Sequence, residues 1–172
     1  MAEKNFAGAN LKGKDFANED LVDADFSGAN LEDVNLSEAN LSNANLSEAI
    51  LSGTKLLHAN LFAANFYGAT LLNANLSNTN IFNTTFIYAN FRCVNFLNAY
   101  ISKANFSGAR LVGTNFQKTQ FKDTNLMNLC YMKKADFRGS KIGDRPITKD
   151  DIPSDKGEYY ADWNPPLEKE ES

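Results

Sequence analysis

Ala29-Asn30-Leu31-Glu32-Asp33, Val34-Asn35-Leu36-Ser37-Glu38 and Ala39-Asn40-Leu41-Ser42-Asn43 are successive copies of one five-residue design. Working outward, every fifth residue from Phe6 to Leu126 is Leu, Ile or Phe without a break. These 25 centres comprise 13 Leu, 10 Phe and 2 Ile; the residue two before the centre is Ala 14 times and Thr 6 times, and the residue just before it is Asn or Asp 18 times. A period of five matches neither the 3.6 of a helix nor the 2 of a strand. The chain therefore turns a corner in every unit and buries the same two positions each time, which specifies a solenoid. Asn and Asp suit corners, because their side chains bond nearby backbone and tolerate left-handed conformations.

The unit resembles that of the pentapeptide-repeat family, whose motif A-(D/N)-L-x-x is carried by Ala29–Asp33 and Ala39–Asn43, and the resemblance covers residues 4–142. It implies an all-β fold: a right-handed, quadrilateral (four-sided) parallel β-helix solenoid with one unit per side, four per coil and about seven coils. The large centre and the small residue two before it would fill the interior, consistent with close packing in a narrow tube. Seven coils at ~4.8 Å of rise would make a rod ~34 Å long. Residues 143–172 form an acidic, proline-containing C-terminal cap or tail. Compact single-rod members of the family are numerous in cyanobacteria, and some members are similar to a DNA duplex and bind a type II topoisomerase (DNA gyrase) in its place.

Charge is segregated along the chain. Residues 1–50 carry 3 Lys/Arg and 10 Asp/Glu (net −7), residues 51–143 carry 10 and 2 (net +8), and residues 144–172 carry 4 and 9 (net −5). No carboxylate occurs between Ala49 and Lys122. A basic body is a poor imitation of phosphate, which disfavours the DNA-mimic reading. The basic residues are spread over several sides instead of lining one groove, which disfavours direct nucleic-acid binding.

Lys4, Lys14 and Glu19 occupy small inward positions, where a closed tube would not admit a charge, so the first coil is expected to be an open mouth. The register slips once: Leu126 and Phe137 are 11 residues apart, which places a one-residue bulge within Met127–Tyr131, with Met132, Phe137 and Ile142 as the next centres. In this register Cys93 points outward and Cys130 inward. After Gly143 the period is lost, and Ile147, Ile152, Tyr159, Tyr160 and Trp163 are expected to dock on the last coil, the alternative being a disordered tail with a linear motif around Tyr159-Tyr160-Ala161-Asp162-Trp163.

Catalytic constellations are missing from the sequence. His58 is the single histidine and falls at an outward position, so no nucleophile–base pair suggests itself. Two distant cysteines and one histidine make no zinc set, no glycine-rich phosphate loop occurs, and no metal, cofactor or small-molecule substrate is expected. The start of the chain shows neither a signal-peptide pattern nor an apolar span, so the expectation is a cytoplasmic setting without membrane association. The surface signal is a central apolar cluster. Counting four units per coil, Phe62 and Phe82 stack on one side and Tyr67 and Ile87 on the next, with Tyr88 and Tyr100 close by, Leu57 and Leu97 before, and Leu72 after. The expected function is a non-enzymatic scaffold offering this surface to a protein partner or a second copy.

Overall fold

The residue just before each centre makes the bonds that stack the chain. Asn45 donates its N–H to the carbonyl of Ala24 (2.9 Å), and its own carbonyl accepts from the N–H of Phe26 (2.7 Å). The same exchange repeats all along the rod as parallel bridges between residues 20 apart, for example Asp25 to Asn45, Asn45 to Asn65 and Asn75 to Asn95. One coil is therefore 20 residues and four units. A computed structural model describes residues 4–151; Ile152, Tyr159, Tyr160 and Trp163, with most of the proposed cap or tail, lie outside the described residues.

The Asn side chains add a second ladder beside the first. Asn45 Oδ1 accepts from the N–H of Ser47 (3.2 Å) and from Asn65 Nδ2 (3.2 Å), while Asn45 Nδ2 donates to Asp25 Oδ1 (3.2 Å). Each such side chain thus closes a local turn and also ties one coil to the next. The corner follows two residues later. The N–H of Ala29 bonds the carbonyl of Phe26 (2.9 Å), and Gly28 between them has φ 61°. Positive φ at the third turn position is the type II requirement, which explains the Gly, Asn and Asp found there.

The centres and the small residues before them are buried from Leu21 to Phe121. Phe66, Phe86 and Phe106 form one column of rings 4.8–5.1 Å apart, and Phe96, Phe116 and Phe137 form another, each step 4.9 Å. Where Thr replaces Ala inside, its hydroxyl mostly reaches back 23 residues to a carbonyl of the preceding coil, as in Thr54 to Leu31 and Thr114 to Phe91 at 2.8 Å and Thr84 to Leu61 at 2.7 Å, whereas Thr79 bonds the Leu76 carbonyl three residues back (2.5 Å). No buried side-chain polar atom lacks a partner among the described residues.

One wall becomes flatter in its second half. Strands β1 (Asn80–Phe82), β2 (Tyr100–Ser102), β3 (Gln120–Lys122) and β4 (Lys141–Ile142) pair in parallel, and β5 (Arg145–Pro146) closes the sheet antiparallel to β4. In the same column Leu61 closes a turn, accepting from Ala64 N–H at 3.2 Å, whereas among the described bonds Ile81, Ile101 and Phe121 do not. The β-branched Ile at two of these centres favours the extended backbone.

The ends differ. Phe6, Leu11 and Phe16 are only partly buried, and Lys14 and Glu19 are exposed, which makes the first coil the open mouth anticipated from its charges. Lys4 pairs with Asp20 Oδ1 (3.5 Å) and also donates to the Asp20 backbone carbonyl, fastening the start of this coil to its end. The slip requires one correction. Cys130 does not point inward; it occupies the bridging column with Arg110, and Leu129 takes the small inward position, buried to 3% exposure. The extra residue is Tyr131, in left-handed conformation (φ 52°) between Cys130 and the buried Met132; from Asn115 to Asp136 the bridge spacing is 21. Leu129 is bulkier than the Ala or Thr usual at its position, and the extra residue lets the wall bow outward around it.

Candidate functional site

Local turn chemistry aims the exposed rings. The N–H of Phe62 bonds Asn60 Oδ1 (3.1 Å) and that of Tyr67 bonds Asn65 Oδ1 (3.0 Å), so each side chain leaves the wall just after an Asn-closed turn. Translation by one coil then places Phe82 on Phe62, with ring centroids 5.6 Å apart and planes 4° from parallel. Phe62 is 45% exposed. Lys103 lays its ammonium 5.3 Å from the Phe82 centroid, on the side away from Phe62 in sequence order. Such a contact places a cation beside an apolar face.

One unit further on, Tyr67 meets Tyr88 edge-on, at 5.8 Å and 86°. Tyr88 is the anomaly of the surface. It is 61% exposed and has φ 58°, in a column where Gly8, Gly28, Gly68 and Gly108 stand in other coils beside Glu48 and Asn128. A bulky residue in this conformation costs roughly 1–2 kcal/mol relative to glycine. Its ring rests over Gly108, where a Cβ would lie 2.5 Å from Tyr88 Cδ1. Exposed rings are thus paired across coils on two consecutive walls, Phe62 with Phe82 and Tyr67 with Tyr88.

Of the seven surface residues singled out from the sequence, Phe62, Phe82, Tyr67 and Tyr88 form two ring pairs on consecutive walls, and Ile87, half-buried, follows Tyr67 in its column. Tyr100 stacks on none of these rings. It lies on β2 and lines a separate cleft of about 590 Å³ with Gln120, Lys122 and Arg145 near the C-terminal hairpin. Leu72 belongs to the next wall and is half-buried there. Lys103 and Gly108 were not legible as members of the site, because their roles depend on which way a neighbouring side chain leans. Asn60 and Asn65 belong to the ladder and could have been found from the Asx-turn spacing.

Among the described residues no group of three or more His, Cys, Asp or Glu could hold a metal ion. No helix among them is long and apolar enough to cross a membrane.

Such a molecule is a parallel solenoid of five-residue units carrying an aromatic corner. The Pentapeptide repeats family model matches it in eight copies, over residues 5–37, 20–56, 59–96, 89–128 and 104–143, and the chain belongs to that family, whose fold is a right-handed β-helix. No curated protein matches the chain. Among solved structures it is similar to HetL, a pentapeptide repeat protein involved in heterocyst differentiation regulation from the cyanobacterium Nostoc sp. strain PCC 7120, with 25% identity over 84% of this chain and 83% of HetL and a TM-score of 0.32. It is also similar to a pentapeptide repeat protein of the Arabidopsis thaliana thylakoid lumen (25% identity, 84% and 72% covered, TM-score 0.40). A third similarity is to QnrB1, a plasmid-mediated fluoroquinolone resistance protein (22% identity, 81% and 80% covered, TM-score 0.39).

Proposed function

We propose that this protein is a non-enzymatic, cytoplasmic interaction scaffold, a four-sided rod of about seven coils whose aromatic corner at Phe62, Phe82, Tyr67 and Tyr88 docks a protein partner. The observation that carries the reading is Tyr88: a bulky ring, 61% exposed on a left-handed backbone, in a column otherwise filled by Gly, Glu48 and Asn128, is not required by the fold. Lys103 over Phe82 places a cation at this corner, and no carboxylate occurs between Ala49 and Lys122. The fitting partner therefore presents apolar side chains flanked by Asp or Glu. The same charge pattern opposes the topoisomerase reading, because a DNA mimic needs acidic residues along the body.

The test compares the native rod with Phe62→Ser/Phe82→Ser in a lysate pull-down read by mass spectrometry, with sedimentation of both proteins alone. Loss of an acidic partner, or of self-association, at an unchanged melting temperature is the expected result. Identical retained proteins and identical sedimentation overturn the proposal. A gyrase supercoiling assay is expected to show no inhibition.

A further inference from the structure

The exposed apolar side chains gather on one side of the rod. Of the seven large hydrophobic residues exposed among the described ones, Ile50, Tyr67, Tyr88, Met127 and Tyr131 lie on a single wall or on the corner that opens it. The middle column of this wall runs from Asn30 through Ile50, Thr70 and Asn90 to Arg110 and Cys130. Tyr67 and Tyr88 stand on its opening corner, and Leu72 on the corner that closes it.

The charges of the same wall are sorted along the axis. Its N-terminal part carries Lys12, Glu32, Asp33 and Glu48, net −2, with Lys12 tied to Glu32 at 2.7 Å. Its C-terminal part carries Arg92, Arg110, Lys133 and Lys134, net +4, and no carboxylate. Between the two lie Ile50, Tyr67, Leu72 and Tyr88. The sorting is also symmetric, since Glu32 and Asp33 stand two coils before the coil of Tyr67, and Lys133 and Lys134 two coils beyond that of Tyr88, all four on the closing corner. At ~4.8 Å per coil, each charged pair sits ~10 Å from the aromatic centre.

We propose that this wall is the interface of an antiparallel homodimer, two copies packed side by side about a two-fold axis that crosses the wall between Tyr67 and Tyr88. Such an axis sets each corner against its own counterpart while reversing the rod. Glu32 and Asp33 of one copy then meet Lys133 and Lys134 of the other, and the contact is made twice. At the centre, Tyr67 of each copy meets Tyr88 of the other, which covers exposed rings on both. A parallel pair would instead set each charged pair on itself, which like-charge repulsion opposes. A second copy also has the partner chemistry described above, because Glu48 lies over Gly68, beside Tyr67. In this dimer Tyr67 and Tyr88 keep the contact role proposed above, on which it rests, while Phe62 and Phe82, on the preceding corner, stay open to another partner.

Analytical ultracentrifugation of the purified full chain over a concentration series tests the dimer. The native chain should dimerise, more weakly at high salt. Glu32→Lys/Asp33→Lys and Lys133→Glu/Lys134→Glu should each weaken it about tenfold or more. Melting temperatures should not change, since Lys134 and Glu48 show that both residue types occupy the left-handed corner position. All four changes in one chain should restore the dimer, because an antiparallel contact is then again acid on base. Tyr67→Ser/Tyr88→Gly should leave a monomer. A native chain that stays monomeric throughout, or a four-residue variant that binds no more tightly than either pair alone, overturns the proposal. Phe62→Ser/Phe82→Ser should dimerise like the native chain even where it loses an acidic partner. Loss of the dimer in that variant would put the second copy on the other corner and overturn the wall contact, whereas an intact dimer with unchanged partner capture would remove only the role given to Phe62 and Phe82.

Discussion

The ring of Tyr88 lies against the backbone of Gly108 one coil away, so close that a Cβ at position 108 would fall 2.5 Å from two of its ring carbons. Gly108 also has φ 70°. Gly108→Ala should therefore cost about 1 kcal/mol through the backbone and push Tyr88 off Tyr67. In the Tyr88→Gly background the same change should retain only the backbone part, giving a coupling measurable by a double-mutant cycle in urea. Tyr88→Gly alone should leave stability unchanged or raise it by up to about 1 kcal/mol, as expected when a residue is kept for contact instead of fold. Additive costs, or a clear loss for Tyr88→Gly, would make the ring a structural element of the rod.

Interior phenylalanines should dominate stability. Phe86 touches the rings of Phe66, Phe91, Phe96 and Phe106, and is fully buried. A narrow tube cannot collapse into the gap, so Phe86→Ala should cost roughly 3–5 kcal/mol, and Phe116→Ala a similar amount. Chemical denaturation that gave under about 1 kcal/mol for both would contradict the packing described.

The inward threonines should matter less than their burial suggests. Thr114 Oγ1 donates to the Phe91 carbonyl at 2.8 Å, but that oxygen also accepts from the Val94 N–H at 3.0 Å. Thr114→Val leaves no unsatisfied group behind and nearly conserves shape. The expected cost is about 0.5–1.5 kcal/mol in equilibrium unfolding; a loss above about 3 kcal/mol would show that the second acceptor contact does not hold.

Acid should loosen the C-terminal hairpin before the rod. The carboxylate of Asp151 is bonded by the Arg145 guanidinium, by the Thr148 N–H (2.8 Å) and by the Thr148 hydroxyl (2.9 Å). Chiefly through Arg145, and against the effect of burial, these hold its pKa far below the ordinary 3.8. A lowered folded pKa contributes stability that is present above the unfolded value and lost as pH falls through the folded one. Protection of the Ile147 N–H, corrected for intrinsic exchange, should fall below about pH 4 in the native chain and be low and nearly flat in Asp151→Asn. Equal protection in the two proteins at neutral pH would remove this role from Asp151.

The core was legible because the interior obeys a single rule: one large and one small side chain per unit, from Leu21 to Phe121, with stacking at 20 residues. The corners were legible through Asn, Asp and Gly. The flattened wall was not, since the difference between Leu61 and Ile81 lies in whether a turn bond closes, and both residues fill the interior equally well. The slip was located but misread at one position, because Leu129 and Cys130 are both credible inward residues until the outward bow at Tyr131 is known. At the site, translation by one coil predicted the Phe62–Phe82 stack, whereas Tyr88 over Gly108 and Lys103 over Phe82 cross between columns and depend on rotamers that no spacing encodes.

Because Asp25 bonds Asn45 and Asn45 bonds Asn65 at an interval of 20 that holds up to the slip at Tyr131, the chain before that slip behaves as a ruler with a fixed angular scale. Inserting twenty residues, such as a copy of residues 66–85, would lengthen the molecule by one notch of ~4.8 Å while returning everything beyond it to the same compass bearing. Inserting five would move the C-terminal hairpin on by one wall relative to the rings at Phe62 and Tyr67. Distance and direction between two grafted sites can thus be chosen separately in this protein, by counting residues alone.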